Sequence, residues 1–138
     1  MSIERERSYG GVVVRDGEVL VITPAGRPSV RTLPKGGANA GESEEATATR
    51  EVREETGVDA RVVERLGDVE YWYRRRGVRV FKTVAFYLFE YLAGDTADHD
   101  HEVDDVRWMP LQQARAELSY PGEREMIERA LSKHHDDR

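Results

Sequence analysis

The segment from Gly36 to Val58 constrains this chain more than any other, because Gly36, Glu42, Arg50, Glu51, Val52, Glu54, Glu55, Gly57 and Val58 stand in one fixed register. Ser43 is a good N-cap, Glu44 and Glu45 suit the positive end of a helix dipole, and Gly57 suits a C-terminal exit, so Ser43 to Thr56 is expected to be helical. At about 100° per residue, Glu51, Glu54 and Glu55 fall within an arc of roughly 100° and are expected to look outward from one face. Ala48, Thr49, Val52 and Thr56 form a weakly apolar stripe beside them, suited to packing on a sheet. Like charges at i,i+3 and i,i+4 destabilise a helix by about a few tenths of a kcal/mol each, and a hard cation offsets that cost. The chain has no cysteine and its histidines are not grouped with these acids, so an oxygen-only ligand set points to Mg2+ or Mn2+ rather than zinc. The competing reading is a solvated charged face with Glu and Arg chosen for helix propensity and ion pairing. Gly36, Gly41 and Gly57 in register weigh against it. The loop from Leu33 to Gly41 holds three glycines and one proline, so its backbone can approach a ligand closely.

These nine positions resemble the signature of the Nudix hydrolases. The resemblance extends over essentially the whole chain, although only Gly36 to Val58 is motif-grade. It implies an α+β fold, an α/β/α sandwich around a central mixed β-sheet. It also implies hydrolysis of a nucleoside diphosphate linked to another moiety, by attack of water on phosphorus with divalent cations neutralising charge. By the same resemblance Glu51, Glu54 and Glu55, with a backbone carbonyl around Lys35 and Gly36, are the metal ligands, while Glu42, Arg50 and Gly57 tie loop to helix. Glu51 and Glu54 are also candidates for the chemistry, and which glutamate takes the proton of water stays open. A further acid often completes such sites. Asp98, Asp100, Glu102, Asp104 and Asp105 are available, and Glu102 is preferred because family members place a carboxylate ahead of a tryptophan in the last strand, here Trp108. A solvated loop acid is the alternative for Glu102, and plain exposed sequence is the simpler account of His99 and His101.

The length, 138 residues, suits one domain spanning 1–138. There is no apolar run near the length of a membrane span, and the opening Met-Ser-Ile-Glu-Arg-Glu-Arg is no signal sequence. A cytoplasmic protein with no membrane partner is expected, as a monomer or a homodimer. The net charge of −6 disfavours nonspecific nucleic-acid binding. Its distribution is uneven: from Ile22 to Gly41 the only charges are Arg27, Arg31 and Lys35, and from Tyr71 to Phe89 they are Arg74, Arg75, Arg76, Arg79 and Lys82. Basic stretches flanking an acidic helix suit a small nucleotide that arrives as a polyanion with its own cations. Arginine runs in hairpins also serve solubility.

Along the chain, Val12–Arg15 and Val19–Thr23 read as strands joined through Asp16-Gly17. A loose stretch from Pro24 to Ser29 and an extended piece to Leu33 follow. Ala60 to Tyr73 reads as an irregular strand interrupted near Gly67, Arg74 to Gly77 as a turn, and Val78 to Leu92 as a strand apolar on both faces. Ala93 to Asp105 is expected to be loop, Val106–Met109 a last short strand, and Pro110–Leu118 and Pro121–Leu131 helices, with a tail from Lys133 that frays.

Leu33-Pro34-Lys35-Gly36, Tyr71-Trp72-Tyr73 and Lys82-Thr83-Val84 look like dinucleoside polyphosphate hydrolases. There the lysine sits by the phosphates and a downstream tyrosine stacks on adenine. Lys35, Arg27, Tyr73 and Lys82 are the resulting candidates for substrate contact. A nucleoside triphosphate pyrophosphohydrolase needs the same metal site with another base pocket, and a nucleotide-sensing module without turnover is a third possibility.

Overall fold

The computed structural model describes residues 2–136. Six strands, β1 (Ile3–Arg15), β2 (Glu18–Pro24), β3 (Lys35–Gly36), β4 (Val58–Arg75), β5 (Val78–Gly94) and β6 (Val103–Pro110), form one sheet of order β4-β5-β1-β2-β6, with β3 off this path on β1. The β1–β5 pair is parallel and the other pairs are antiparallel, which makes the sheet mixed. Helix α1 (Glu44–Thr56) covers one face, while α2 (Leu111–Glu117) and α3 (Pro121–Asp136) cover the other. Among the described residues no helix is long and apolar enough to cross a membrane.

Strand β5 shows why two helical layers are needed. Val84, Phe86 and Leu88 point into a core shared with Leu111, Leu118, Met126 and Ile127. Ala85, Tyr87 and Phe89 point into a second core with Ala48, Val52 and Val58. Period-two alternation with both sides apolar leaves neither face free for water. On α1 the buried set is Thr47, Ala48, Glu51, Val52 and Thr56. Thr49, expected in the stripe, is only half-buried. Full burial of a side chain such as Val52 stabilises by about 1.5–3 kcal/mol, which is ample to hold the helix down despite its crowded charges.

Boundaries differ from expectation by more than two residues in three elements. Strand β1 begins at Ile3 rather than Val12, because its charged first half pairs in parallel with Arg79–Thr83. Arg5 lies over the Phe81 ring, 5.7 Å from its centroid, and Glu6 meets Lys82, so the charges are absorbed by neighbouring strands. Strand β6 begins at Val103 rather than Val106: Val103 is buried, and Asp104 and Asp105 take alternate strand positions beside it. The last helix continues to Asp136 past the expected fraying point at Lys133, while Asp137 and Arg138 lie outside the described residues. The irregularity expected in β4 is present as register shifts at Asp59/Ala60, Val62/Glu64 and Arg65/Gly67.

Candidate active site

Helix α1 starts where Ser43 Oγ accepts the Ala46 N–H at 3.2 Å, and it ends at Gly57, whose left-handed backbone (φ 78°) lets its N–H reach Arg53 O. Between these ends the helix carries its acids into unlike surroundings. Glu42, just ahead of the cap, accepts from Arg50 Nε (2.8 Å) and Nη2 (2.9 Å), from Thr47 Oγ1 (2.9 Å) and from the Asn39 N–H (3.0 Å). The Arg50 guanidinium, with the Asn39 amide, holds this carboxyl down at about 2. Arg50 also donates to Gly37 O (2.8 Å), to Glu51 (2.7 Å) and to Glu54 (3.2 Å). Loop and helix are thereby tied through one planar cation, which suits the bidentate geometry of guanidinium.

The three helix acids do not all look outward. Glu54 is exposed, but Glu51 is buried and Glu55 half-buried beneath the Lys35–Gly36 strand. That strand is pinned to Tyr9 and Gly10 of β1. A side chain at Gly36 would run into the Glu51 carboxylate, so glycine is needed for close approach. The Lys35 N–H donates to Glu55 Oε1 at 2.9 Å. Burial pushes the Glu55 carboxyl up to about 8, against the pull of the Lys35 amide and with a further upward push from Glu51 and Asp100. Burial also raises Glu51, partly offset by Arg50, with Glu54 and Glu102 adding to the rise. Of the acidic loop, Asp100 is tied to α1 directly, and exposed Glu102 is tied to Asp100. Asp100 N donates to Glu54 O (2.8 Å) and Asp100 Oδ1 accepts from Glu102 N (3.0 Å). His99 Nδ1 lies 2.7 Å from Asp100 O, and His101 is exposed.

Lys35, whose N–H meets Glu55, also lines a cavity of about 610 Å3 together with Arg27, Tyr71, Tyr73, Lys82 and Tyr120, with Val69, Val84 and Phe86 in its apolar wall. The four residues expected to meet substrate thus share one wall system. Two of the cations are already engaged. Lys35 Nζ donates to Glu123 (3.0 Å) and Thr32 Oγ1 (2.8 Å), and Lys82 Nζ donates to Glu6 (3.1 Å). Tyr73 is engaged as well, its hydroxyl donating to Glu6 at 2.7 Å. That bond, with those of Lys82 and Arg75, holds Glu6 down at about 2 despite burial. Tyr71, 41% exposed, and Tyr120, 38% exposed, are the rings presented to solvent at the cavity. Trp72 points to the opposite face of the sheet, tilted against Phe81 with Arg79 over it. The arginines at 74, 75, 76 and 79 do not line the cavity. Sequence reasoning missed Glu6, Tyr120 and Glu123. Their roles depend on partners far along the chain, and only the Tyr120-Pro121 pair at a helix start gave any local signal.

The donor set fits a hard divalent ion. Glu51 and Glu55 are carboxylates short of compensation, as their upward shifts show, and cysteine and histidine do not compete. Among the described residues no three acids converge as a ready-made cage. A Mg2+ ion needs none, since it keeps several waters and takes one or two carboxylates.

A family model described as NUDIX domain matches residues 5–130. The chain is 40% identical to the putative mutator protein MutT4 of Mycobacterium tuberculosis over 139 residues, covering 93% of this chain and 55% of that protein. It is 35% identical to the 8-oxo-(d)GTP phosphatase of Mycolicibacterium smegmatis over 102 residues, covering 74% of this chain and 30% of that one. The chain therefore spans about half, or less, of the length of these curated relatives. Among solved structures, a NUDIX hydrolase from Nitrosomonas europaea superposes with TM-score 0.76 at 20% identity, covering 94% of this chain and 90% of that one. An Ap4A hydrolase binary complex from C. elegans does so with TM-score 0.76 at 22% identity, covering 95% and 98%. These two likenesses show a shared fold.

Proposed function

The chain belongs to the NUDIX family, and from that membership we propose that it hydrolyses a pyrophosphate linkage in a nucleoside diphosphate-linked substrate, using Mg2+ or Mn2+. The observation that carries this reading is the seating of Glu51 and Glu55 under the Lys35–Gly36 strand, whose Lys35 also lines a cavity with Arg27, Tyr71 and Lys82. A bound divalent cation neutralises phosphate charge and makes water a better nucleophile at neutral pH. The chain does the rest. Glu51 and Glu55 would hold the ion, and Glu54, open to solvent on the same helix, is the acid we assign to take the proton of the attacking water. Glu102, whose charge adds to the rise of Glu51, is the further acid we assign to the site. The apolar walls and the two exposed tyrosines accept a base, which fixes the phosphate chain relative to the acids.

A dinucleoside polyphosphate is the preferred substrate, supported by the aromatic cavity and by the shared fold with the C. elegans Ap4A hydrolase. The name of the Mycolicibacterium smegmatis relative, an 8-oxo-(d)GTP phosphatase, favours a second reading, a nucleoside triphosphate. A substrate panel at fixed Mg2+ with chromatographic identification of products separates them. Two nucleotides from diadenosine tetraphosphate support the first reading, and a monophosphate with pyrophosphate from a triphosphate supports the second. Tight nucleotide binding with no turnover on any member of the panel overturns both.

A further inference from the structure

Glu123 is a carboxylate in the interior that the reaction above does not use. It sits in the first turn of α3, 3% exposed, where an unpaired charge would be strongly disfavoured. Its compensation comes from a single stretch of chain some 90 residues away. Thr32 Oγ1 donates at 2.8 Å, the Leu33 N–H at 2.9 Å and Lys35 Nζ at 3.0 Å. Lys35 Nζ also donates to Thr32 Oγ1 at 2.8 Å, so the four groups form a closed network.

That stretch runs straight into the acidic face. The side chain of Lys35 is held by α3, while its backbone N–H rests on Glu55 of α1 at 2.9 Å. The next residue, Gly36, lies against Glu51. Backbone bonds fix part of this piece, Thr32 exchanging N–H and C=O bonds with Ile22 (2.8 and 3.0 Å) and the Gly11 N–H donating to Pro34 O (3.1 Å), but β3 itself has two residues, paired with Tyr9 and Gly10, and none of these bonds holds the Lys35 side chain. Its far end is tied by Arg50 Nη2 to Gly37 O at 2.8 Å. Glu123 is the matching tie on the near side.

We propose that Glu123 is a positioning residue for the metal-facing strand, holding Thr32, Leu33 and Lys35 from α3 so that the Lys35 N–H stays on Glu55, and neutralising the Lys35 ammonium within the substrate cavity. The catalytic consequence rests on the hydrolase reading above, but the geometry does not. Loss of the carboxylate frees Lys35 for phosphate while loosening the seat of Glu55. Together the two effects lower kcat without raising KM, which general damage to the fold would not do.

The test uses the full chain and the variants Glu123→Gln and Thr32→Val. Each is measured for amide hydrogen exchange at Lys35, for Mn2+ affinity by calorimetry, and for kcat and KM on diadenosine tetraphosphate, or on GTP if the former is not cleaved. In Glu123→Gln the Lys35 amide is expected to exchange faster, Mn2+ to bind more weakly, and kcat to fall by roughly tenfold with KM unchanged or lower, the size expected of a small misplacement at a site. Thr32→Val should move the same readouts in the same direction by less, and it decides the matter if Glu123→Gln does not fold. Unchanged Lys35 exchange and Mn2+ affinity in folded variants would overturn the proposal, as would a rise in KM with kcat intact. If the wild-type chain cleaves no nucleotide, the hydrolase reading fails and the exchange result alone decides the place of Glu123.

Discussion

Glu42 and Glu55 stand at opposite ends of the same helix, and their carboxyls are driven in opposite directions. Arg50 and an amide pull Glu42 down to about 2, whereas burial pushes Glu55 up to about 8. Glu42 is a fixed anion whose charge is answered by the protein itself. Glu55 is an acid whose charge is answered only in part, by one backbone N–H. A helix that keeps its own cation at one end and leaves the other end wanting one has separated scaffold from chemistry within four turns. The teaching is that residue type does not assign the role of an acid; its neighbours do.

The strongest way to break this contrast is Glu55→Gln. It keeps the shape and the acceptor for the Lys35 N–H but removes the charge, so turnover should fall by about a hundredfold or more while the fold is retained. Steady-state kinetics with circular dichroism checks it, and near-normal rates would remove Glu55 from the metal site. Next in size is pH. In metal-free protein the raised Glu55 makes the folded state hold its proton more tightly than the unfolded chain. Its contribution is therefore complete below the ordinary carboxyl value of 4.5 and is lost as pH rises through about 8. Melting temperature in EDTA should fall across that window, Mg2+ should restore it at pH 8, and Glu55→Gln should flatten the profile. Glu42 contributes with the opposite sign, present above 4.5 and lost as pH falls toward 2.

Glu42→Ala sharpens the comparison from the other end. It should lower the melting temperature by about a few degrees, with kcat falling less than in Glu55→Gln, because it frees Arg50 to pair more fully with Glu51 and Glu54. The smallest expected effect lies outside the helix. Tyr71→Ala should raise KM by roughly 5- to 100-fold with kcat little changed, the size of one lost base-stacking contact. An unaltered KM would take Tyr71 out of the cavity's function.

Much of the helix was legible because its determinants are local. The Ser43 cap, the Gly57 exit and the buried Val52 follow from spacing within one turn or a few, while the Glu42–Arg50 tie came from the resemblance to the Nudix signature. The cavity was legible only in outline. Lys35, Arg27, Tyr73 and Lys82 do gather there, yet the sequence carried no hint that Glu123 would claim Lys35 across 88 positions, or that Glu6 would claim Tyr73 across 67. Exposure decided the aromatics as well, with Tyr71 open and Tyr73 tied. The charged start of β1 was unreadable for the same reason. Alternating Glu and Arg signals solvent unless one knows that Lys82 and Phe81 wait opposite them.

The parallel pairing of β1 with β5 also has a kinetic side. Ile3 meets Arg79 and Glu6 meets Lys82, 76 positions along the chain. During synthesis β1 must persist without β5 until about 76 further residues have emerged, and ring closure of that length precedes any reward from their pairing. Assembly of the sheet centre is therefore a late, non-local event. The charges on Glu4, Arg5, Glu6 and Arg7 keep the waiting strand from adhering to other nascent chains.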